Sequence, residues 1–250
     1  MILRRLSLIA LAGLPGAILA QSPVQVDVFG TYEDLSGGLP DWRSLQVSFA
    51  KSLGTRRSVY AVGRVAERFE RTDRQLTVGA YTPIQKGLTS LVEVSYSPTS
   101  ELLPRWAGTA QLAKELGKGW VVTGGVSRTV FRTDESTGFV AGVENYFKNY
   151  RLAYFLSGGF AREAGFAAGH RLSLNQYLTD RTSWSVNLGL GEEVESVGPR
   201  QVLRTSVFGA SANARVGVGR QGSMLVEVGY VRQGDLYVRR SLTLGYRHVF

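Results

Sequence analysis

The stretch SLTLGYRHVF at residues 241–250 closes the chain and decides the fold. Successive side chains of a β-strand point to opposite faces, so this stretch has one apolar face and one polar face. It ends on its last aromatic residue, which is typical of the closing strand of a bacterial outer-membrane β-barrel; the alternative is an ordinary edge strand at a soluble C-terminus. The apolar face carries His248 and the four residues that we predict to form the barrel-assembly signal: Leu242, Leu244, Tyr246 and Phe250.

The N-terminus has the pattern of a secretory signal peptide. Arg4 and Arg5 supply a positive start, and an apolar run follows at residues 6–14. This run is too short to cross a bilayer as a helix, although an uncleaved anchor is the alternative to a cleaved signal. We therefore predict a cleaved signal peptide at residues 1–20 and a single domain at residues 21–250.

The composition excludes several classes of protein. The formal net charge is +9, but the basic residues are spread singly along an exported chain, so we predict no nucleic-acid partner. The absence of cysteine excludes a disulfide-stapled secreted domain and a lipoprotein anchor. No stretch of the mature chain reaches about 18 apolar residues, so the sequence predicts no transmembrane helix. The near-neutral hydropathy fits a transmembrane barrel and a soluble β-sandwich equally well.

The mature chain reads as about fourteen alternating runs of roughly ten residues, the length of a transmembrane β-strand. Every second connection is a tight turn rich in glycine and asparagine, such as Gly117-Lys118-Gly119, and the others include longer polar segments. Short turns at one rim and longer loops at the other are typical of outer-membrane barrels. The sequence predicts an all-β fold, a single antiparallel up-and-down transmembrane β-barrel of about 14 strands, with 12 as the alternative.

The aromatic residues support a membrane barrel, because most of them fall near the ends of the predicted strands. Membrane barrels place aromatic rings as girdles at the two interfaces, where the rings face both lipid and water. Three aromatic residues are left near mid-strand: Tyr154, Phe155 and Phe208.

A search for catalytic and metal-binding residues gives little. The chain has two histidines, and both His170 and His248 share a strand face with apolar residues that we assign to lipid. Neither has a local serine and an orienting acid, so we predict no catalytic residues. The acidic cluster of Glu192, Glu193 and Glu195 is interpreted as a solvated loop, with a divalent cation bridging lipopolysaccharide as the alternative. We predict neither a metal site nor a cofactor.

Polar side chains opposite the lipid faces are the candidates for a functional lumen. A wall biased towards arginine would attract anions, whereas arginine–glutamate pairs across the lumen would plug it. The inward face of the third and seventh runs is ambiguous, because apolar residues occur on both of their faces. The predicted lumen-facing residues are Arg128, Glu144, Arg171, Asn175, Asn213, Arg215, Arg239 and Arg247.

Three segments give the chain a family resemblance: the turns LGKGW at 116–120 and YLTDR at 177–181, and the ending LGYRHVF at 244–250. With the signal peptide and the absence of a plug domain, the mature chain resembles the YaiO-type outer-membrane β-barrels. The resemblance implies residence in the outer membrane and brings no settled activity or functional residues. Some relatives carry helical repeats before the barrel and resemble polysaccharide-export proteins.

These observations together predict a non-enzymatic protein of the Gram-negative outer membrane. We expect a porin-like pore or export conduit for small solutes or an anionic polysaccharide. The alternatives are a lipid-modifying barrel enzyme and a closed structural or adhesive barrel. The predicted partners are outer-membrane lipid, lipopolysaccharide and the barrel-assembly machinery.

Overall fold

A computed structural model of the chain describes residues 24–132, 134–162, 165–196 and 202–250. The predicted signal peptide at residues 1–20 lies outside the described residues. No helix in the described part of the chain is long and apolar enough to cross a membrane.

Fourteen strands pair with their sequence neighbours into one closed antiparallel barrel, and β1 pairs with β14 to complete it. This confirms the predicted fold class, with 14 strands rather than 12. The strands are β1 Val24–Leu35, β2 Trp42–Gly54, β3 Arg57–Arg68, β4 Arg71–Gln85, β5 Leu88–Tyr96, β6 Trp106–Gly117, β7 Trp120–Val130, β8 Glu135–Phe147, β9 Tyr150–Ala161, β10 Gly165–Tyr177, β11 Ser183–Ser196, β12 Val202–Val218, β13 Gly222–Gln233 and β14 Tyr237–Val249.

The outer wall is apolar and exposed because alternate side chains of every strand point away from the lumen. Leu76, Val126 and Leu190 are each more than half exposed, and so is Leu244 on the closing strand. Soluble proteins do not present a continuous apolar surface of this kind, whereas a lipid-facing barrel wall requires it. The four residues of the predicted assembly signal lie on this outer face, and their role as a signal stays a prediction.

Tight turns mark the rim where β1 begins and β14 ends, and four of the six have two residues. Lys118 and Gly119 connect β6 to β7 with φ angles of 51° and 80°, as a type I′ hairpin turn requires. Gly119 has a second constraint, because a Cβ atom there would lie 2.1 Å from the Tyr146 carbonyl oxygen. Short turns face the periplasm in outer-membrane barrels, so we call this the periplasmic rim and the opposite one the extracellular rim.

The interior aromatic residues differ from the girdle expectation. Trp42 and Tyr237 point into the lumen at the extracellular end and pack with Leu35, Leu39 and Phe69. We call this group the Trp42 cluster. The sequence placed these rings near strand ends correctly, but it could not show which of them turn inward.

Candidate functional site: the barrel lumen

The alternation of each strand places most of the predicted lumen residues on the inner face. Inward positions on adjacent strands lie opposite one another, so the face continues from strand to strand through the register. The predicted residues on this face are Glu144, Arg171, Asn175, Asn213, Arg215, Arg239 and Arg247.

Arg128 is the exception, and its prediction as a lumen residue is wrong. It shares a face of β7 with Val126, which is 60% exposed on the outer wall, and it lies opposite Thr137 of β8. On this outer surface Arg128 pairs with Glu135 at 2.5 Å. The assignment failed because the glycines and valines of β7 leave its two faces alike in sequence.

A buried ion pair joins β1 to β14, the two strands whose pairing closes the barrel. Arg247 donates two hydrogen bonds to the Asp27 carboxylate, at 2.7 and 3.0 Å, and Asp27 is 5% exposed. Ser48 of β2 adds a third hydrogen bond to the same carboxylate at 3.2 Å. Because both carboxylate oxygens of Asp27 accept from Arg247, the positive charge of Arg247 is neutralised within the barrel wall.

A second buried pair joins β8 to β9. The Arg151 Nε atom lies 2.5 Å from a Glu144 carboxylate oxygen, and both side chains are about one-tenth exposed. The Tyr146 hydroxyl donates to the same carboxylate at 3.2 Å. Glu144 is therefore an internal partner of Arg151 rather than a free lumen anion.

Three nitrogen donors on the inner faces of β10 and β12 have no hydrogen-bond partner in the described part of the chain. They are the Nε atom of Arg171, the Nδ2 atom of Asn175 and the Nε atom of Arg215. Buried donors are paired in the great majority of native structures, so three unpaired ones in one part of the lumen require an explanation. A bound water or ligand supplies one.

A glycine and an aromatic ring position Arg171. Phe155 of β9 lies flat over Gly142 of β8, where a Cβ atom would approach the ring to 2.3 Å. The guanidinium of Arg171, directly opposite Phe155 on β10, lies 4.8 Å above the ring centroid. Such a cation–π contact holds the guanidinium against the face of the ring.

The facing wall carries a glutamate and two tyrosines. The Tyr60 hydroxyl donates to Glu93 at 2.5 Å, and the Tyr60 ring lies over Gly79. Tyr81 packs beside Tyr60, with 6.1 Å between the ring centroids. The arginines of β9, β10, β12 and β14 therefore face a wall that carries the carboxylate of Glu93.

At the extracellular end the Trp42 cluster narrows the lumen. Trp42 is fully buried, and the guanidinium carbons of Arg68 and Arg239 lie 4.6 and 5.2 Å from its ring centroid. Tyr237 and Phe69 meet the indole ring edge-on. Arg239 faces inward and supports the Trp42 cluster rather than an open wall.

The loop at residues 97–105, between β5 and β6, also bends inward at this end. Asp73 faces the lumen at the start of β4 and is fully buried. Its carboxylate accepts backbone N–H bonds from Glu101, Leu102 and Leu103 at 3.1, 2.6 and 2.7 Å. Both leucines are buried, so the carboxylate holds the loop over the mouth of the lumen.

The two histidines lie on the outer wall. His170 hydrogen-bonds the Tyr154 hydroxyl through Nδ1 at 2.7 Å, and His248 packs against Tyr246 and Phe250. Neither lies beside a serine in these contacts. In the described ranges no three His, Asp or Glu side chains come together as a metal site requires.

Two glutamates of the predicted acidic cluster lie on opposite faces of β11. Glu192 points outward on β11 and pairs with Arg204 at 3.1 Å, whereas Glu193 lies on the inner face. The side chain of Glu195 lies outside the described residues.

Sequence reasoning missed Asp27, Asp73, Arg151 and Phe155. Each acquires its role from a residue on a neighbouring strand or loop, and the register that brings the two together is not visible in the sequence. An inward carboxylate at an alternating position is the only signal that Asp27 carries by itself.

Comparison with known proteins agrees with this architecture. The model of the YaiO membrane beta barrel domain matches residues 24–195. Omp33 of Acinetobacter baumannii is similar in structure, with 12% identity, a TM-score of 0.56, and coverage of 91% of this chain and 99% of that one. No curated protein sequence matches the chain.

Two other solved barrels show the same fold at low identity. The translocator domain of the autotransporter NalP from Neisseria meningitidis has 15% identity and a TM-score of 0.53, covering 92% of this chain and 90% of its own. The anion-selective porin from Comamonas acidovorans has 8% identity and a TM-score of 0.52, covering 92% and 99%. The chain is an outer-membrane β-barrel and belongs to the YaiO membrane β-barrel family.

Proposed function

We propose that this barrel is a non-enzymatic channel that passes small solutes across the outer membrane. The observation that supports the proposal is that polar side chains of the inner wall at mid-height are accessible to solvent. Gln46, Gln111 and Ser211 face inward and remain partly accessible to solvent, and the Trp42 cluster lies only at the extracellular end. A lumen with accessible polar side chains holds water, and water-filled lumens conduct.

The extracellular mouth sets the size of the solute. The Trp42 cluster occupies one side, and the loop held by Asp73 bends over another. Barrels of sixteen or more strands leave a wide channel, whereas eight strands are filled by side chains. A 14-stranded barrel narrowed at one mouth favours small solutes over folded cargo.

Conductance in planar bilayers tests the proposal. The detergent-extracted protein, first shown to be folded by its heat-modifiable gel migration, should give discrete current steps in potassium chloride. A folded protein that inserts and gives no steps would identify a closed structural barrel instead. Release of fatty acid from phospholipid, abolished by His170→Ala, would identify an enzyme.

Export of an anionic polysaccharide is a second candidate, favoured by the charge of the periplasmic rim. Exposed basic side chains lie at or beside its turns, and they would attract a polyanion arriving from the periplasm. Cells that lack the protein should then retain acidic polymer that wild-type cells release; unchanged release would exclude this role. The exposed basic residues are Lys51, Arg56, Arg57, Lys86, Lys118, Lys148 and Arg220.

A further inference from the structure

The lumen arginines fall into two groups according to their partners. Arg247 and Arg151 are each held by a buried carboxylate, as described above. Arg171 and Arg215 make no ion pair within the described part of the chain, and each has an unpaired Nε donor. Two positive charges of the lumen, one at the middle of β10 and one near the periplasmic end of β12, thus have no internal ion-pair partner.

Arg171 has the geometry of a preformed binding group. Its contact with the face of Phe155 restricts the guanidinium, and the Phe155 ring is itself held in place because it lies against Gly142. Arg151 and Glu144 both lie within electrostatic range of Arg171, but they already pair with each other. A guanidinium held in this way loses little conformational freedom when it binds a ligand.

Asn175 supplies a second free donor on the same strand face. It lies directly opposite Arg151 in the β9–β10 register, and its Nδ2 atom is unpaired. Arg151, the residue opposite, donates its hydrogen bond to Glu144. It therefore does not compete with the Asn175 amide for an oxygen atom of a ligand.

Arg215 forms a separate group nearer to the periplasmic rim. Its Nη2 atom donates to the Asp180 carbonyl oxygen at 3.2 Å, which orients the side chain and leaves Nε unpaired. Arg247, Asp27 and Asp180 lie within electrostatic range of Arg215, but Asp27 pairs with Arg247, and Arg215 makes no ion pair of its own in the described part of the chain.

The register gives the separation of the two groups along the lumen. Arg215 lies opposite Ser183, and Ser183 lies opposite Tyr177. Tyr177 and Arg171 are six positions apart on β10, which corresponds to about 20 Å of strand. The two arginines are therefore successive positions on one path rather than parts of one site.

We propose that Arg171, Asn175 and Arg215, at successive heights of the lumen, bind the carboxylate or phosphate groups of anionic solutes. This inference names the class of solute that the proposed channel would pass, and it therefore rests on that proposed function. Arginine matches both oxyanions in a bidentate manner, and hydrogen bonds to charged groups are about twice as strong as neutral ones. The free donors provide these bonds without breaking any contact that holds the barrel together.

Calorimetric titration of the folded, detergent-extracted protein tests the site without requiring conduction. Citrate and inorganic phosphate serve as probes and distinguish the two ligand classes. Arg171→Gln should weaken binding at the Arg171 site about tenfold or more and leave the Arg215 site intact, and Arg215→Gln should do the reverse, so each variant loses one of two binding events and the double variant loses both. Arg171→Lys keeps the charge but loses the planar fork, so its affinity should fall between wild type and Arg171→Gln.

Arg128→Gln is the matched control, because it removes an arginine from the outer wall. Its affinities should equal those of the wild type. Retention of both binding events at wild-type affinity in Arg171→Gln and in Arg215→Gln would overturn the inference, and so would absence of citrate and phosphate binding to the wild type. Preference for one probe identifies the ligand as a carboxylate or a phosphate.

Reversal potentials in a salt gradient separate this inference from the proposed function. A channel that conducts with anion preference, which both glutamine variants reduce, supports both proposals. A protein that binds citrate through Arg171 and gives no current steps retains the site and refutes the channel. A conducting channel with the same reversal potential in all variants refutes the site alone.

Discussion

Replacement of Asp73 by asparagine should release the loop at residues 97–105 from the extracellular mouth. The Oδ2 atom accepts from the N–H groups of Leu102 and Leu103, and Oδ1 accepts from Glu101. Asparagine keeps one acceptor oxygen and turns an NH2 group towards a donor, so at least one buried N–H loses its partner. An unsatisfied buried donor costs about 1–3 kcal/mol.

A change of about 2 kcal/mol shifts the equilibrium between the docked and released loop about 30-fold. Hydrogen exchange of the backbone amides at residues 101–103, followed by mass spectrometry, measures this shift directly. We expect exchange in Asp73→Asn to be faster by about that factor, and single-channel conductance to rise as the mouth widens.

Asp235→Asn is the control, because the Asp235 side chain is 99% exposed in another extracellular turn. It should leave exchange at residues 101–103 unchanged. If Asp73→Asn also left these amides protected as in the wild type, the carboxylate would not be what holds the loop, and the reasoning would be refuted.

Three further substitutions test the lumen. Trp42→Ala removes the centre of the Trp42 cluster and should reduce the free energy of unfolding by about 3–5 kcal/mol, measured by urea titration in detergent. Gly142→Ala should cost about 1–3 kcal/mol and weaken citrate binding in calorimetry, because the new Cβ displaces Phe155. Glu144→Gln leaves Arg151 buried without its charge partner and should cost about 3 kcal/mol in the same urea titration.

Matched controls exist for two of these. Gly124→Ala adds a methyl group where no atom lies within 4 Å, and it should change stability little. Glu135→Gln breaks an ion pair that is about 40% exposed and should cost under about 1 kcal/mol. Costs as small for Gly142→Ala and Glu144→Gln would contradict the packing and pairing described here, and an unchanged urea midpoint in Trp42→Ala would contradict the role of the Trp42 cluster.

The sequence predicts the barrel well because the signal is periodic and local. Alternation in each strand and the glycine or asparagine of most tight turns depend on neighbouring residues only, so the strand number and the lipid face of β14 follow from them. The prediction fails at Arg128, where β7 carries similar residues on both faces.

The content of the lumen was less accessible to sequence reasoning. Asp27 and Arg247 are 220 positions apart and meet only because the barrel closes. Phe155 was recognised as a mid-strand aromatic, but its contact with Gly142 depends on the exact β8–β9 register. The sequence therefore predicts a polar inner face. It does not show which lumen arginines pair with carboxylates, nor that Arg171 and Arg215 have no ion-pair partner among the described residues.

Thiol labelling of adjacent residues tests most directly whether this is a lipid-wetted barrel around a water-filled lumen. The chain contains no cysteine, so Ser211→Cys and Ala212→Cys on β12 each provide a single thiol. In lipid vesicles we predict that a charged, membrane-impermeant thiol reagent modifies the cysteine at position 211 rapidly and the one at position 212 hardly at all. Equal reaction at both positions, or faster reaction at position 212, would contradict the account.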